Sequence, residues 1–231
     1  ISGGAANDTL SGLGGADSLS GAAGNDSLTA GEGADTVTAG LGTDTVNITE
    51  STAAADVIQV TAGAVGTFTD NESEDVAGTA ASTPDDRGED TITGFDAGLD
   101  TIAVTATNVA DFVHTTDLLV SAPNATTAGT ATTVDAFVAN TLFIALDGDA
   151  VVNDDDDIVL TFSDFKLNGV SQIGSADLLA ATDIDQSISY NLTAAAGATT
   201  ITTGDLADTI TTAGGVDTIT TGTGADTITV A

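Results

Sequence analysis

Aspartates recur at every ninth residue near the start of the chain, and each lies two residues before an aliphatic side chain. The first three are Asp8, Asp17 and Asp26, and the pattern continues through Asp35 and Asp44. In each unit a glycine-rich stretch ends in Asp and precedes a short strand such as "DTL" or "DTV", which is typical of a nonapeptide β-helix. Two units then form one turn, and successive turns stack by parallel strand pairing about 4.8 Å apart. The spacing therefore predicts that residues eighteen apart lie above one another.

This stacking places carboxylates against carboxylates, with Asp8 facing Asp26, Asp26 facing Asp44, and Asp17 facing Asp35. Such carboxylates repel one another by kilocalories unless a cation lies between them. Ca²⁺ takes six to eight oxygen ligands, and two Asp side chains with the carbonyls of two glycine loops can supply about six. All five aspartates are therefore predicted Ca²⁺ ligands, and ordinary solvated turn residues are the alternative interpretation.

The same period returns near the end of the chain, where aliphatic residues again recur at every ninth position: Leu192, Ile201, Ile210, Ile219 and Ile228. Asp208, Asp217 and Asp226 occupy the matching acidic positions and are further candidate ligands. Only Asp208 and Asp226 form a pair eighteen residues apart, because Asp217 faces Thr199. We therefore expect this block to bind less calcium than the first one.

The units "GGAANDTLS", "GLGGADSLS" and "GAAGNDSLT" resemble the RTX (repeats-in-toxin) consensus G-G-x-G-x-D-x-U-x. Two later units replace the first glycine of this consensus by Ala30 and Ala39. The resemblance implies an all-β protein with right-handed parallel β-rolls, export by type I secretion, and folding outside the cell when calcium is met. We expect a β-roll over residues 1–47, a more irregular β insert over 48–186, and a second β-roll over 187–231.

Within the insert, "GEDTITGFDAGLDTIAV" (residues 88–104) resembles the segment that often follows RTX repeats. The resemblance implies that Asp90 and Asp100 are calcium ligands and that Ile92, Phe95 and Ile102 pack inward. Four stretches read as strands: "DVIQV", "DTIAV", "NTLFIALD" and "DDIVLTF".

An acidic turn separates the last two of these strands. The two strands and the turn together resemble a hairpin found in domains that carry RTX repeats. Its candidate calcium ligands are Asp147, Asp149, Asn153 and residues 154–157, with a solvated acidic tip as the alternative. A short helix is predicted to begin at Ser175.

Composition excludes several classes of protein. The net charge is −33, with only two basic residues, so phosphate-bearing partners such as nucleic acid or an anionic membrane would be repelled. Hydrophobic residues make up 41% of the chain, which argues against a disordered acidic tail, and cysteine is absent. His114 is the single histidine, and no nucleophile-elbow or metalloprotease motif accompanies it, so no catalytic site is expected.

The resemblance extends to RTX-type bacterial S-layer proteins, which are likewise rich in Ala, Thr, Gly and Asp. It implies a secreted, extracellular structural protein that self-assembles with calcium at the cell surface. The expected partners are copies of the chain and a cell-surface polysaccharide bound through a region outside this sequence; insertion into a membrane is not expected. The alternatives are a non-catalytic carrier module of a type I secreted hydrolase, or an adhesin. An ice-binding role would use the repeated Thr-Ile-Thr strands of the C-terminal block.

Overall fold

A computed structural model describes residues 1–64, 90–109, 111–113, 118–121, 141–144, 158–167, 170–171 and 185–230. These residues form eighteen strands and one short 3₁₀ helix, Asp185–Ser187, with no α-helix among them. The N-terminal strands are β1 (Thr9–Ser11), β2 (Ser18–Ala23), β3 (Ser27–Thr29), β4 (Thr36–Leu41) and β5 (Thr45–Asn47). The middle strands are β6 (Val57–Ala64), β7 (Asp90–Ala97), β8 (Thr101–Val109), β9 (Asp111–Val113), β10 (Leu118–Ser121), β11 (Thr141–Ile144), β12 (Ile158–Leu167) and β13 (Val170–Ser171). The C-terminal strands are β14 (Ile188–Ala194), β15 (Thr200–Thr202), β16 (Thr209–Thr211), β17 (Thr218–Thr220) and β18 (Thr227–Thr229).

Alternate strands of the repeats lie on opposite faces of a flattened coil, as the nine-residue period predicts. Leu10 pairs in register with Leu28, Leu28 with Val46, and Leu19 with Val37, always in parallel. The C-terminal strands follow the same rule, with Ile210 paired to Ile228. The predicted eighteen-residue stacking and the parallel β-roll are therefore confirmed.

One parallel sheet connects both repeat blocks through the insert. Its order is β18-β16-β14-β8-β6-β4-β2, so strands β6 and β8 bridge the N-terminal and C-terminal blocks. The two repeat blocks thus belong to a single stack. The proposed segment boundaries at 47/48 and 186/187 stay a prediction.

On the opposite face of the roll, the stack of parallel strands is divided between two sheets. Strands β1, β3, β5 and β7 continue into β12 by parallel pairing, and then into the antiparallel strands β11 and β10. A separate three-stranded sheet, β17-β15-β9, carries the C-terminal strands of this face. The antiparallel pairing of β11 with β12 confirms the predicted hairpin strands, whereas its acidic turn, His114 and the helix predicted at Ser175 lie outside the described residues.

The core is a column of aliphatic side chains, one from each short strand. Leu19, Leu28, Val37 and Val46 are at most 1% exposed. In the middle of the stack the strands lengthen, and the wider interior is filled by the ring pairs Phe95–Phe162 and Phe112–Tyr190. The inward packing predicted for Ile92, Phe95 and Ile102 is confirmed, since each is fully buried. No helix in the described part of the chain is long and apolar enough to cross a membrane.

Two turns carry a side chain at a backbone conformation that favours glycine. Leu13 has φ of 74° and Ala22 has φ of 82°, and both side chains are exposed. A Cβ in this region strains the backbone. These two residues occupy positions where the later repeats have Gly31 and Gly40, with φ of 108° and 118°.

We expect Ala22→Gly to stabilise the calcium-loaded protein by about 0.5–1 kcal/mol, because relief of this strain exceeds the added freedom of the unfolded chain. The neighbouring Ala23, whose φ is not positive, is the matched control. Ala23→Gly should destabilise by a similar amount. Chemical unfolding of both variants at one calcium concentration measures the difference, and equal effects would contradict the strain argument.

Candidate metal sites

One column of aspartates runs along the first edge of the roll. The backbone N–H of Asp8 donates to Oδ1 of Asp26 (2.7 Å), and the N–H of Asp26 donates to Oδ1 of Asp44 (2.7 Å). The N–H of Asp44 then donates to Oδ1 of Asp90 (2.9 Å), 46 residues later in the chain. The column therefore continues past the regular repeats into the insert.

A second column runs along the opposite edge. Asp17 donates its N–H to Oδ1 of Asp35 (2.8 Å), Asp35 to Oδ1 of Asp56 (2.8 Å), and Asp56 to Oδ1 of Asp100 (3.0 Å). The step from Asp35 to Asp56 spans 21 residues. Every aspartate predicted in the N-terminal half thus lies on one of two continuous columns.

In Asp26, Asp35 and Asp44 the stacked amide uses only Oδ1, which leaves Oδ2 for a cation. Asp100 differs, because its Oδ2 accepts the N–H of Asp96. Within the two N-terminal columns, four Oδ2 atoms are inaccessible to solvent and accept no hydrogen bond from the described residues: those of Asp17, Asp26, Asp35 and Asp44. Oδ2 of Asp26 lies so close to Gly21 that a Cβ at this glycine would collide with it. Buried, unpartnered carboxylate oxygens beside a glycine loop fit a hard, oxygen-seeking cation such as Ca²⁺.

Burial makes the charged form of these carboxylates costly. It raises the pKa of Asp90 to about 7, and the charge of Asp44 adds to the rise. Burial likewise raises the pKa of Asp44, with a smaller contribution from the charge of Asp26. A cation bound beside such a column reverses this trend, because an opposite charge favours the ionised form.

The C-terminal block has fewer carboxylates in contact. The N–H of Tyr190 donates to Oδ1 of Asp208 (2.8 Å), and the N–H of Asp208 to Oδ1 of Asp226 (3.1 Å). On the other edge, the N–H (3.2 Å) and hydroxyl (3.0 Å) of Thr199 both donate to Oδ1 of Asp217. The predicted pairing of Asp217 with Thr199 is confirmed, and a hydroxyl donor there replaces a carboxylate.

Asp56 is a member of the column that the nine-residue spacing did not reveal. Three extra residues separate it from Asp35, so it falls out of phase with the repeats. The available signal was the triplet "DVI", in which an aspartate again lies two residues before an inward aliphatic residue, Ile58. Ile58 pairs in register with Val37.

The columns bring carboxylates together in pairs rather than in larger clusters. Among the residues that the structure describes, no three acidic or histidine side chains converge on one point. An ion bound between such a pair would take its remaining ligands from main-chain carbonyls and water. The ligand role of every individual aspartate stays a prediction.

The Thr-Ile-Thr strands lie in pairs on two faces of the roll. Strand β15 pairs with β17, and β16 pairs with β18, so each face carries two such strands. Their neighbours further along the stack, β9 and β14, lack this triplet.

A parallel β-roll whose edges carry stacked aspartates with free buried oxygens defines a repeat-type calcium-binding protein. The family model of the RTX calcium-binding nonapeptide repeat matches the chain over residues 1–28, 11–46 and 193–228, about a third of its length. Such repeats bind several Ca²⁺ ions, and they are typically found in secreted proteins as structural rather than catalytic elements. The two blocks are thus RTX-type repeats. No curated protein and no solved structure matches the chain.

Proposed function

We propose that the chain is a secreted structural protein that self-assembles at the cell surface, as in an S-layer, with Ca²⁺ driving its folding and its assembly. The observation that carries the folding part is the pair of aspartate columns with solvent-inaccessible Oδ2 atoms. Without a cation, these buried carboxylates oppose folding through desolvation and mutual repulsion. Calcium bound between the turns removes both costs.

The edge strand β18 supports the assembly part of the proposal. Strand β18 lies at the margin of the seven-stranded sheet and pairs, among the described strands, with β16 alone. Ile228 is 48% exposed there and Val230 is 79% exposed. An uncovered strand edge with apolar side chains favours pairing with a strand of another chain. Calcium would also reduce the repulsion between copies that each carry a net charge of −33.

Val230→Lys should abolish or strongly reduce calcium-dependent assembly, because a lysine directly after the edge strand β18, which ends at Thr229, opposes further strand pairing. Val216→Lys is the matched control, since Val216 is 83% exposed but lies in a turn between β16 and β17. Electron microscopy and light scattering in millimolar calcium measure the result. A wild-type chain that stays monomeric in calcium would contradict self-assembly, and equal assembly of both variants would exclude the β18 edge as the contact.

A further inference from the structure

Threonine replaces glycine at the first position of three repeats in the C-terminal block. These residues are Thr203, Thr212 and Thr221, whereas the same position of the N-terminal repeats holds Gly3, Gly12, Gly21, Ala30 and Ala39. The backbone supports this equivalence. The N–H of Thr203 donates to the carbonyl of Thr220 (2.9 Å), just as the N–H of Gly12 donates to the carbonyl of Thr29 (2.9 Å). The substitution therefore adds a hydroxyl to a turn that elsewhere carries glycine or alanine.

The first position of a repeat faces the carboxylate of the same repeat. A Cβ added to Gly12 would lie 2.9 Å from Oδ2 of Asp17 and would collide with the carbonyl oxygen of Ala30 in the next turn. Thr203 carries a side chain at this position and precedes Asp208 by the same number of residues. We therefore infer that its side chain is directed toward the carboxylate of Asp208.

The hydroxyl of Thr203 is buried without a partner. Thr203 is 4% exposed, and its Oγ1 makes no hydrogen bond within the described part of the chain. Burial of a hydroxyl that forms no hydrogen bond is unfavourable, and valine would fill the same volume without this cost. The buried oxygen thus points to a ligand that is bound at this turn.

The aspartate column has fewer carboxylates at this turn than in the N-terminal block. Asp208 is 1% exposed, and its Oδ1 accepts the N–H of Tyr190, which occupies the place of an aspartate in the repeat pattern. Among the described residues, the carboxylate stacked on Asp208 is that of Asp226 alone. A neutral hydroxyl oxygen beside Asp208 adds a metal ligand without adding charge repulsion.

We propose that the hydroxyl of Thr203 is a Ca²⁺ ligand at the turn that ends in Asp208. The repeat consensus has glycine at this position and therefore provides no side-chain ligand there. The proposal rests on the calcium binding of the proposed function. Ca²⁺ combines neutral oxygen ligands with carboxylates, so a hydroxyl suits its coordination. Thr203 thus gives the C-terminal block a ligand that partly compensates for its missing aspartates.

Tyr190 is an intrinsic reporter for this turn. It is the single tyrosine of a chain without tryptophan, and it is 2% exposed. Its N–H donates to Asp208, so its environment depends on the state of the site. Tyrosine fluorescence therefore follows calcium binding near Thr203, while far-UV circular dichroism follows the β-structure of the whole chain.

Thr203→Val removes the hydroxyl and keeps the shape of the side chain. The calcium concentration at the midpoint of the Tyr190 signal should rise by about tenfold, on the scale of losses seen when a metal site is perturbed. Thr203→Ala, which adds no bulk, should show the same rise, and Thr203→Ser, which keeps the hydroxyl, should retain the wild-type midpoint. Thr202→Val, at the half-buried end of β15, is the matched control and should leave the midpoint unchanged.

Three results would overturn the proposal. The first is an unchanged midpoint in Thr203→Val and Thr203→Ala, and the second is an equal rise in Thr203→Ser. The third is a free energy of unfolding that falls by the same amount at every calcium concentration, because loss of a ligand changes the calcium dependence of stability. A wild-type chain whose tyrosine and far-UV signals do not respond to calcium would instead overturn the proposed function itself.

Discussion

Removal of calcium with a chelator should unfold the N-terminal strands β1 to β5. Their hydrophobic column is narrow, so it contributes little free energy of folding. That free energy must offset the entropy lost when the glycine-rich loops become ordered and the repulsion within two columns of buried carboxylates. Circular dichroism should show loss of β-structure in chelator and its return on addition of calcium. Extracellular calcium modules bind with dissociation constants of about 10⁻⁴–10⁻³ M, so the transition is expected in that range.

Sodium chloride and magnesium at matched ionic strength are the controls for this experiment. Salt screens exposed charges but cannot replace ligands to a buried oxygen, and Mg²⁺ gives up its water reluctantly. Either should restore much less structure than Ca²⁺. If the β-signal in chelator equals that in calcium, the columns are stable without a cation and calcium-driven folding is wrong.

Asp26→Asn should weaken calcium-linked folding far more than Asp217→Asn. Asp26 lies in the middle of its column, with Asp8 on one side and Asp44 on the other. Asp217 instead receives two hydrogen bonds from Thr199. The asparagine oxygen can keep the bond to the preceding amide, so the comparison isolates the lost negative charge.

We expect the calcium concentration at half-folding to rise by about 10- to 100-fold in Asp26→Asn, on the scale of losses seen when a metal site is perturbed. For Asp217→Asn the rise should be small. Calcium titrations followed by circular dichroism measure both midpoints. Equal shifts would mean that the C-terminal block binds calcium by an arrangement other than stacked carboxylate pairs.

The regular period made the two ends of the chain predictable. Each turn has the same length there, so one spacing specifies the inward residue, the strand register and the stacked aspartate together. Leu19 over Val37 and Asp8 over Asp26 follow directly from it. The local sequence is sufficient because the partner of each strand is always the same distance away.

The insert was less predictable because its partners lie at irregular distances. The loop before Asp56 is three residues longer than in a repeat, and the repeat consensus does not specify Glu32 and Glu50, which hold this loop by accepting its N–H groups. Strand β7 pairs with β12, whose residue Phe162 lies opposite Ile92, and no period links these positions. Long-range parallel pairing depends on the packing of the whole stack, which a single sequence does not encode locally.

The aspartate columns have a chemical polarity, however many turns precede or follow. At every junction the turn nearer the N-terminus offers a backbone amide and the turn nearer the C-terminus offers a carboxylate, as between Asp17 and Asp35. One end of any such stack therefore presents acceptors, and the other presents donors. Two stacks are complementary only when they meet head to tail, because head-to-head contact would bring carboxylates together. A filament or lattice built through these ends would be polar, with distinguishable growing ends.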